Sequence, residues 1–240
     1  MSIFGYEPEE EKRPILQKTG MLTTGIALCI ASIVVYLISI GLYFTDFWSS
    51  STYLPLSILA GTIPGILYVG ILVTFLRYLG NFNTQSVKTA IMVIIVLQII
   101  YIFLIAGNTI ANRIIMADES YSMYSWYTVI SAIFTIFNLI NWIACFIASA
   151  TMLNAKSDYV GSIRMLGWVL LSVTIADIFI YIFRTFGMPM ILNNMGAISH
   201  DYIGRLYAFI SVFNALFMII LTIAFLYVFV KASRYNTINN

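Results

Sequence analysis

Six long apolar runs, separated by short polar segments, constrain the fold of this chain more than any other feature of its sequence. Each run holds about twenty or more residues, and a helix rising about 1.5 Å per residue needs about that many to cross a hydrocarbon core of about 30 Å. The pattern predicts an all-α integral membrane protein, a bundle of six transmembrane helices. The predicted spans are about 21–45, 54–79, 89–112, 125–153, 163–186 and 204–230.

The overall composition agrees with this class of protein. Hydrophobic residues make up 61% of the chain and charged residues 9%, with a mean hydropathy of +0.94, whereas soluble domains carry about 25% charged residues. The organisation we expect is a polar segment at 1–20, a transmembrane domain at 21–232 and a short polar tail at 233–240. The lipid bilayer is therefore the expected environment of a multi-pass protein, and the sequence does not indicate which membrane. No block of basic residues indicates a nucleic-acid partner.

The distribution of basic residues predicts the orientation. Positive charge accumulates on the cytoplasmic side of membrane proteins, so the two possible orientations can be compared by counting Lys and Arg on each side. With both termini in the cytoplasm, the other side holds only Arg113, Arg184 and Arg205. We therefore predict cytoplasmic termini. The residues then placed in or next to the cytoplasm are Lys12, Arg13, Lys18, Arg77, Lys88, Lys156, Arg164, Lys231 and Arg234.

Asp177 is the only carboxylate in the middle of an apolar run. Inserting an ionisable group at that depth costs about 2.5–3.5 kcal/mol, so such a group usually faces protein or water and marks a site. Thr174 and Tyr181 lie three residues before and four after it, which places all three on one helical face. We expect this face to form a substrate-binding or ion-binding site. The alternative is a structural carboxyl group, hydrogen-bonded to a neighbouring helix.

Uncharged polar residues on other spans fall at a similar depth. Asn138, Asn141 and Asn214 lie near the middle of their spans, and Gln98 lies slightly towards the predicted cytoplasmic side. A belt of this kind is what a binding site in the middle of the membrane requires, and we predict that these side chains join Asp177. The alternative is that they bond helices together, a role in which each hydrogen bond contributes about 0.6 kcal/mol on average.

The second span contains a predicted hinge. Gly61 and Gly65 are four residues apart, a spacing that allows two membrane helices to approach closely. Pro64 lies beside Gly65 and removes one backbone hydrogen bond, which favours a kink. Interrupted helices occur at transporter binding sites, although glycine and proline are also commoner in membrane helices than in soluble ones.

Signatures of catalysis are missing from the sequence. It contains no phosphate-binding glycine-rich loop, no H-E-x-x-H and no G-x-S-x-G. His200 is the only histidine, and Cys29 and Cys145 both lie within apolar runs. We therefore expect no enzymatic activity, no metal site and no cofactor.

Two functions remain open at this point. The first is a small-solute or ion transporter or channel with a polar site around Asp177 in the middle of the membrane. The second is a non-catalytic structural or assembly subunit of a larger membrane complex. The sequence leaves open whether the protein forms a homo-oligomer or associates with other membrane subunits.

Overall fold

The computed structural model describes residues 19–43, 54–80, 85–117, 123–155, 160–188, 190 and 200–238. These residues form six α-helices, and the last turn of the fifth continues into a π-helical segment, Phe183–Gly187. Most of the predicted polar segment at 1–20 lies outside the described residues. The helices are α1 (Thr19–Tyr43), α2 (Leu54–Leu79), α3 (Gln85–Ala117), α4 (Met123–Leu153), α5 (Val160–Ile182) and α6 (His200–Ile238).

All six helices are long and apolar enough to cross a membrane. The prediction of an all-helical, multi-pass protein is thus confirmed by length and composition. Several helices continue beyond the predicted spans, and α6 runs to Ile238, through most of the predicted polar tail. The candidate spans within the described residues are Gly20–Leu42, Gly61–Leu79, Gln85–Ile110, Val129–Leu153, Ser162–Gly187 and Ala208–Arg234.

Hydroxyl groups within the spans are satisfied largely by their own helices. A membrane core offers no water to an unpaired donor, so a serine or threonine there bonds back to a carbonyl one turn earlier. Ser39 donates to the carbonyl of Val35, Thr74 to that of Gly70 and Thr222 to that of Met218. Small polar residues are therefore tolerated in these apolar segments without forming a site.

The helices form a closed ring in chain order. Each helix packs against the helices before and after it in the chain, and α6 also packs against α1. The short connections favour this arrangement, because they make consecutive helices antiparallel neighbours. Inside the ring, Phe225 of α6 makes edge-on contacts with two rings of α2, at centroid distances of 5.2 Å to Phe75 and 6.3 Å to Tyr68.

Packing differs between the two halves of the ring. The main buried core draws on the beginnings of α1, α3 and α5 and on the ends of α2, α4 and α6, so it lies in the half where α1 begins. We call this the packed half and the opposite half the loose half. In the loose half, no described side chain from Ile95 to Ile110 of α3 is fully buried, and a smaller buried cluster of Tyr36, Ala215 and Ile219 lies between α1 and α6.

Helices approach each other closely in the packed half. At Gly167 of α5, an added Cβ would lie 2.9 Å from the Cβ of Met152 and 3.2 Å from the carbonyl oxygen of Ser149, both on α4. At Gly25 of α1, it would lie 2.9 Å from the ring of Phe229 on α6. Glycine lets these helices come together, as small residues do at membrane-helix interfaces.

Candidate functional site

The core-facing side of several helices becomes polar just beyond the packed core. On α5, Leu170 is buried, and Thr174 and Asp177 follow it by four and seven residues. On α4, Cys145 is buried, and Asn138 precedes it by seven residues. Steps of four and seven residues stay on one helical face. Asp177 and Asn138 therefore continue the core-facing sides of their helices into the loose half.

Other helices repeat this pattern. Gln98 follows the buried Ile94 of α3 by four residues, and Ser32 follows the buried Cys29 of α1 by three. On α6, Asn214 precedes the buried Leu221 by seven residues, although its own side chain is exposed. We call the resulting set the polar layer; its members are Ser32, Gln98, Asn138, Asn141, Asp177 and Asn214.

Asp177 accepts a short hydrogen bond from a tryptophan. The Nε1 atom of Trp142 on α4 lies 2.7 Å from Oδ2 of Asp177. Both residues are half-buried. Trp142 is the one hydrogen-bond partner of this carboxylate among the described residues. Because the indole is a neutral donor, it orients the carboxylate without balancing its charge.

Tyr181 adds a second aromatic ring to this site. Its ring meets that of Trp142 edge to face, with centroids 5.1 Å apart and an interplanar angle of 75°. Its hydroxyl lies 2.7 Å from Oγ1 of Thr135 on α4, and either oxygen can be the donor. Tyr181 and Asp177 are thus associated through Trp142, which contacts both of them.

Thr174 has a more structural setting than predicted. It is buried, and its hydroxyl donates to the carbonyl oxygen of Leu170 at 2.7 Å. Cys145 of α4 is a close neighbour of its side chain. The hydrogen bond lies within α5 and the Cys145 contact lies between α4 and α5, both on the packed-core side of the carboxylate. Thr174 therefore has a packing role on the side of the site that faces the packed core.

Gln98 and Asn141 form a separate pair. Nε2 of Gln98 on α3 donates to Oδ1 of Asn141 on α4 at 3.3 Å. Since Asn141 reaches α3 and its neighbour Trp142 reaches α5, the two side chains diverge to opposite interfaces of α4. The predicted belt is consequently divided, with an amide pair between α3 and α4 and the carboxylate site between α4 and α5.

Asn138 and Asn214 are hydrogen-bonded neither to the Gln98–Asn141 pair nor to the carboxylate site. Asn138 is half-buried and Asn214 is exposed. Within the described part of the chain, neither side chain makes a hydrogen bond. Asn138 lies one helical turn before Trp142, on the side of the loose half, so its amide is available next to the carboxylate site.

Other polar groups line the centre of the ring. The hydroxyl of Tyr68 on α2 has the side chains of Cys145 and Tyr36 as electrostatic neighbours, and Cys145 in turn neighbours Asp177. Ser32 is fully buried, and its hydroxyl is the one buried side-chain group among the described residues with no partner. Ser32 and Tyr68 therefore add buried polar groups from α1 and α2.

The predicted hinge lies within a continuous helix. Pro64 is inside α2, which extends without interruption from Leu54 to Leu79. An added Cβ would lie 2.8 Å from Cγ1 of Ile102 at Gly65 and 3.3 Å from Cγ2 of Ile105 at Gly61. The two glycines thus form the predicted close-packing face, directed at α3. Bending at this position stays a prediction.

Sequence reasoning missed two residues of the site, Trp142 and Thr135. Both lie on α4 opposite residues of α5 that it did identify. Equal distance from the connection between these helices does not pair Trp142 with Asp177, because Trp142 lies 11 residues before the end of α4 and Asp177 lies 17 residues after the start of α5. Among the described residues, no three His, Cys, Asp or Glu side chains come together as metal ligands.

No protein-family model, no curated protein and no solved structure matches this chain.

Proposed function

We propose that the protein is a transporter or channel for a small solute or ion, and that Asp177 is its cation site. The observation that carries the proposal is the setting of this carboxylate. It lies within a membrane-spanning helix and continues the core-facing side into the loose half. Its one hydrogen-bond partner in the described structure is the neutral Trp142.

A carboxylate in that setting is costly unless something balances its charge. Burying an unpaired charge is unfavourable, and such groups in membrane helices mark ion or substrate paths. A cation drawn into the loose half would supply the missing charge. This is the reason for proposing a function in transport over a purely structural carboxyl group.

The proposed direction of access follows from packing and from the positive-inside rule. The packed half contains the beginning of α1 and the end of α6. If both termini are cytoplasmic, as the basic residues predict, the packed half is on the inner side. We therefore infer that the cation enters this site from the outer side, and that its release to the inner side requires the packed half to separate.

Flux through reconstituted liposomes tests the proposal. We expect the wild-type protein to carry a cation and Asp177→Asn to abolish or strongly reduce the flux, because asparagine keeps the shape and the acceptor oxygen but removes the charge. Asp201→Asn is the matched control, since it neutralises a carboxylate near the start of α6, before the span Ala208–Arg234. Unchanged flux in Asp177→Asn overturns the assignment of the site.

The same preparation tests the alternative of a structural subunit. Outward residues of α4, among them Ile136, Ile140 and Ile143, are exposed in the isolated chain and suit contact with lipid or with another subunit. Extraction in mild detergent separates the two cases. No flux of any cation, together with stable co-migration of other polypeptides, favours the structural subunit.

A further inference from the structure

We propose that the site at Asp177 selects small organic ammonium ions, with the charged nitrogen at the carboxylate and its alkyl groups against the rings of Trp142 and Tyr181. This inference rests on the proposed function and adds the class of substrate. It is carried by the combination of one carboxylate, two aromatic rings and an unbonded amide within one region between α4 and α5.

The charge of the occupant follows from the hydrogen bonding of Asp177. Trp142 donates to Oδ2, and Oδ1 has no hydrogen-bond partner among the described residues. A carboxylate oxygen accepts hydrogen bonds or cations only, so an occupant that contacts Oδ1 carries a donor or a positive charge. A cation satisfies the oxygen and balances the charge in one contact.

The aromatic surroundings distinguish an organic cation from a metal ion. Calcium takes six to eight oxygen ligands, and magnesium requires a near-ideal octahedron of oxygens. Near Asp177 the described side chains offer one carboxylate and the neutral oxygens of Tyr181, Thr174 and Asn138, too few to complete either set of ligands. An ammonium ion with alkyl groups is instead attracted to the faces of aromatic rings, and most strongly to tryptophan.

The rings are held in place before any ligand arrives. The indole is fixed by its bond to Asp177, and the phenol by its bond to Thr135. Their edge-to-face contact, at an interplanar angle of 75°, positions one ring against the other. A site formed in advance loses little freedom on binding, which favours affinity.

Asn138 supplies a neutral hydrogen-bond acceptor on the side of the site that faces the loose half. Its side chain makes no hydrogen bond in the described structure, and it lies one turn from Trp142 on the side of the loose half. Its amide oxygen can accept a hydrogen bond from an ammonium N–H. Primary and secondary ammonium ions would use that bond, whereas a quaternary ion would rely on the rings and the carboxylate.

Calorimetric titration of the purified full-length protein in lipid nanodiscs tests the inference. The probes are tetramethylammonium and methylammonium chlorides, compared with sodium, potassium and magnesium chlorides at equal ionic strength. We expect saturable binding of at least one ammonium ion and none of comparable affinity for the metal ions. Absence of saturable ammonium binding to the wild-type protein overturns the inference.

Substitutions identify the residues that bind the ammonium ion. We expect affinity to fall by about tenfold or more in Asp177→Asn and by about threefold to tenfold in Trp142→Phe, because phenylalanine attracts cations less than tryptophan does. Tyr181→Leu is a second aromatic variant, which removes the ring and leaves the bond between Trp142 and Asp177. Trp168→Phe is the matched control, since Trp168 lies on α5 with 61% of its surface exposed. Equal affinity in all variants overturns the inference.

The outcomes separate this inference from the proposed function. Proton, sodium or potassium flux that depends on Asp177, without ammonium binding, overturns the inference and leaves the proposed function standing. Ammonium binding that depends on Asp177, without flux of any solute, supports the inference and contradicts transport. Ammonium binding and ammonium flux that both fail in Asp177→Asn support the two together.

Discussion

Trp142 of α4 donates its indole N–H to the carboxylate of Asp177 on α5 across 2.7 Å, and this bond links two antiparallel helices within the membrane-spanning region. The donor is neutral and the acceptor is a carboxylate. The bond therefore fixes the direction of the carboxylate while leaving its charge to be balanced by something else. Structure and proposed function both depend on this pair.

The bond predicts energetic coupling between the two residues. Trp142→Phe should lower the stability of the wild-type protein, because it leaves the carboxylate without its donor. It should have less effect in an Asp177→Leu background, where no acceptor remains. Coupling between side chains of membrane helices averages about 0.6 kcal/mol and reaches about 1.7, and we expect a value near the upper end. Thermal unfolding of the four proteins in one detergent measures it, and additive effects would exclude the coupling.

Gln98 and Asn141 provide a contrasting pair. Their hydrogen bond at 3.3 Å joins α3 to α4, away from the carboxylate. We expect Gln98→Leu and Asn141→Leu to show coupling in stability of about 0.6 kcal/mol, the average for such pairs. Cation flux, measured in liposomes, should remain close to that of the wild type. Loss of flux in the folded double variant would place the pair in the transport site.

Replacing Gly167 with a larger residue should destabilise the protein. An added Cβ would lie 2.9 Å from the Cβ of Met152 and 3.2 Å from the carbonyl oxygen of Ser149, so α4 and α5 would have to separate. We expect Gly167→Ala to destabilise the protein by about 1–3 kcal/mol, the usual cost of overpacking. Gly107→Ala on α3 is the control, since nothing lies within 4 Å of its added Cβ. Thermal unfolding compares the two, and equal stability would contradict the close contact.

The predicted hinge in α2 can be tested separately from its packing. Pro64→Ala restores a backbone hydrogen bond, so we expect stability to stay equal or rise. If bending at this position is needed for transport, flux should fall in the same variant. Normal flux together with normal stability would show that Pro64 is no more than a tolerated proline.

The number and placement of the helices were predictable because length and hydropathy alone determine which segments can cross a bilayer. The helix ends were less predictable, as the extension of α6 to Ile238 illustrates. The difference between the packed and loose halves was not predictable from hydropathy, because both halves are apolar. Close contacts at glycine do not account for it alone, because Gly65 meets Ile102 in the loose half as closely as Gly167 meets Met152 in the packed half.

The depth of the polar residues in the membrane was predictable from the sequence, but their hydrogen-bond partners were not. Asp177 and Asn141 were identified at similar depth, yet Asn141 bonds to Gln98 on α3 and Asp177 to Trp142. The rotation of α4 about its axis decides which of two adjacent residues, about 100° apart around the helix, faces α5. No periodicity within one helix fixes that rotation, since it depends on packing against both neighbours.

Labelling of a single introduced cysteine tests most directly whether the polar layer is accessible to a solute. Asn138→Cys places a thiol next to the carboxylate site at a residue that makes no hydrogen bond in the described structure. Ile140→Cys places one on the exposed outer face of the same helix. The parent protein serves as the blank, because Cys29 and Cys145 are buried.

A charged, membrane-impermeant methanethiosulfonate is added to each side of sealed vesicles of known orientation. We predict that Asn138→Cys reacts from the side opposite the termini, and that Ile140→Cys reacts only with a lipophilic maleimide. The contradicting result is that Asn138→Cys fails to react with the charged reagent from either side while the protein remains folded. The polar layer would then be closed to solutes and would serve only to hold the helices together.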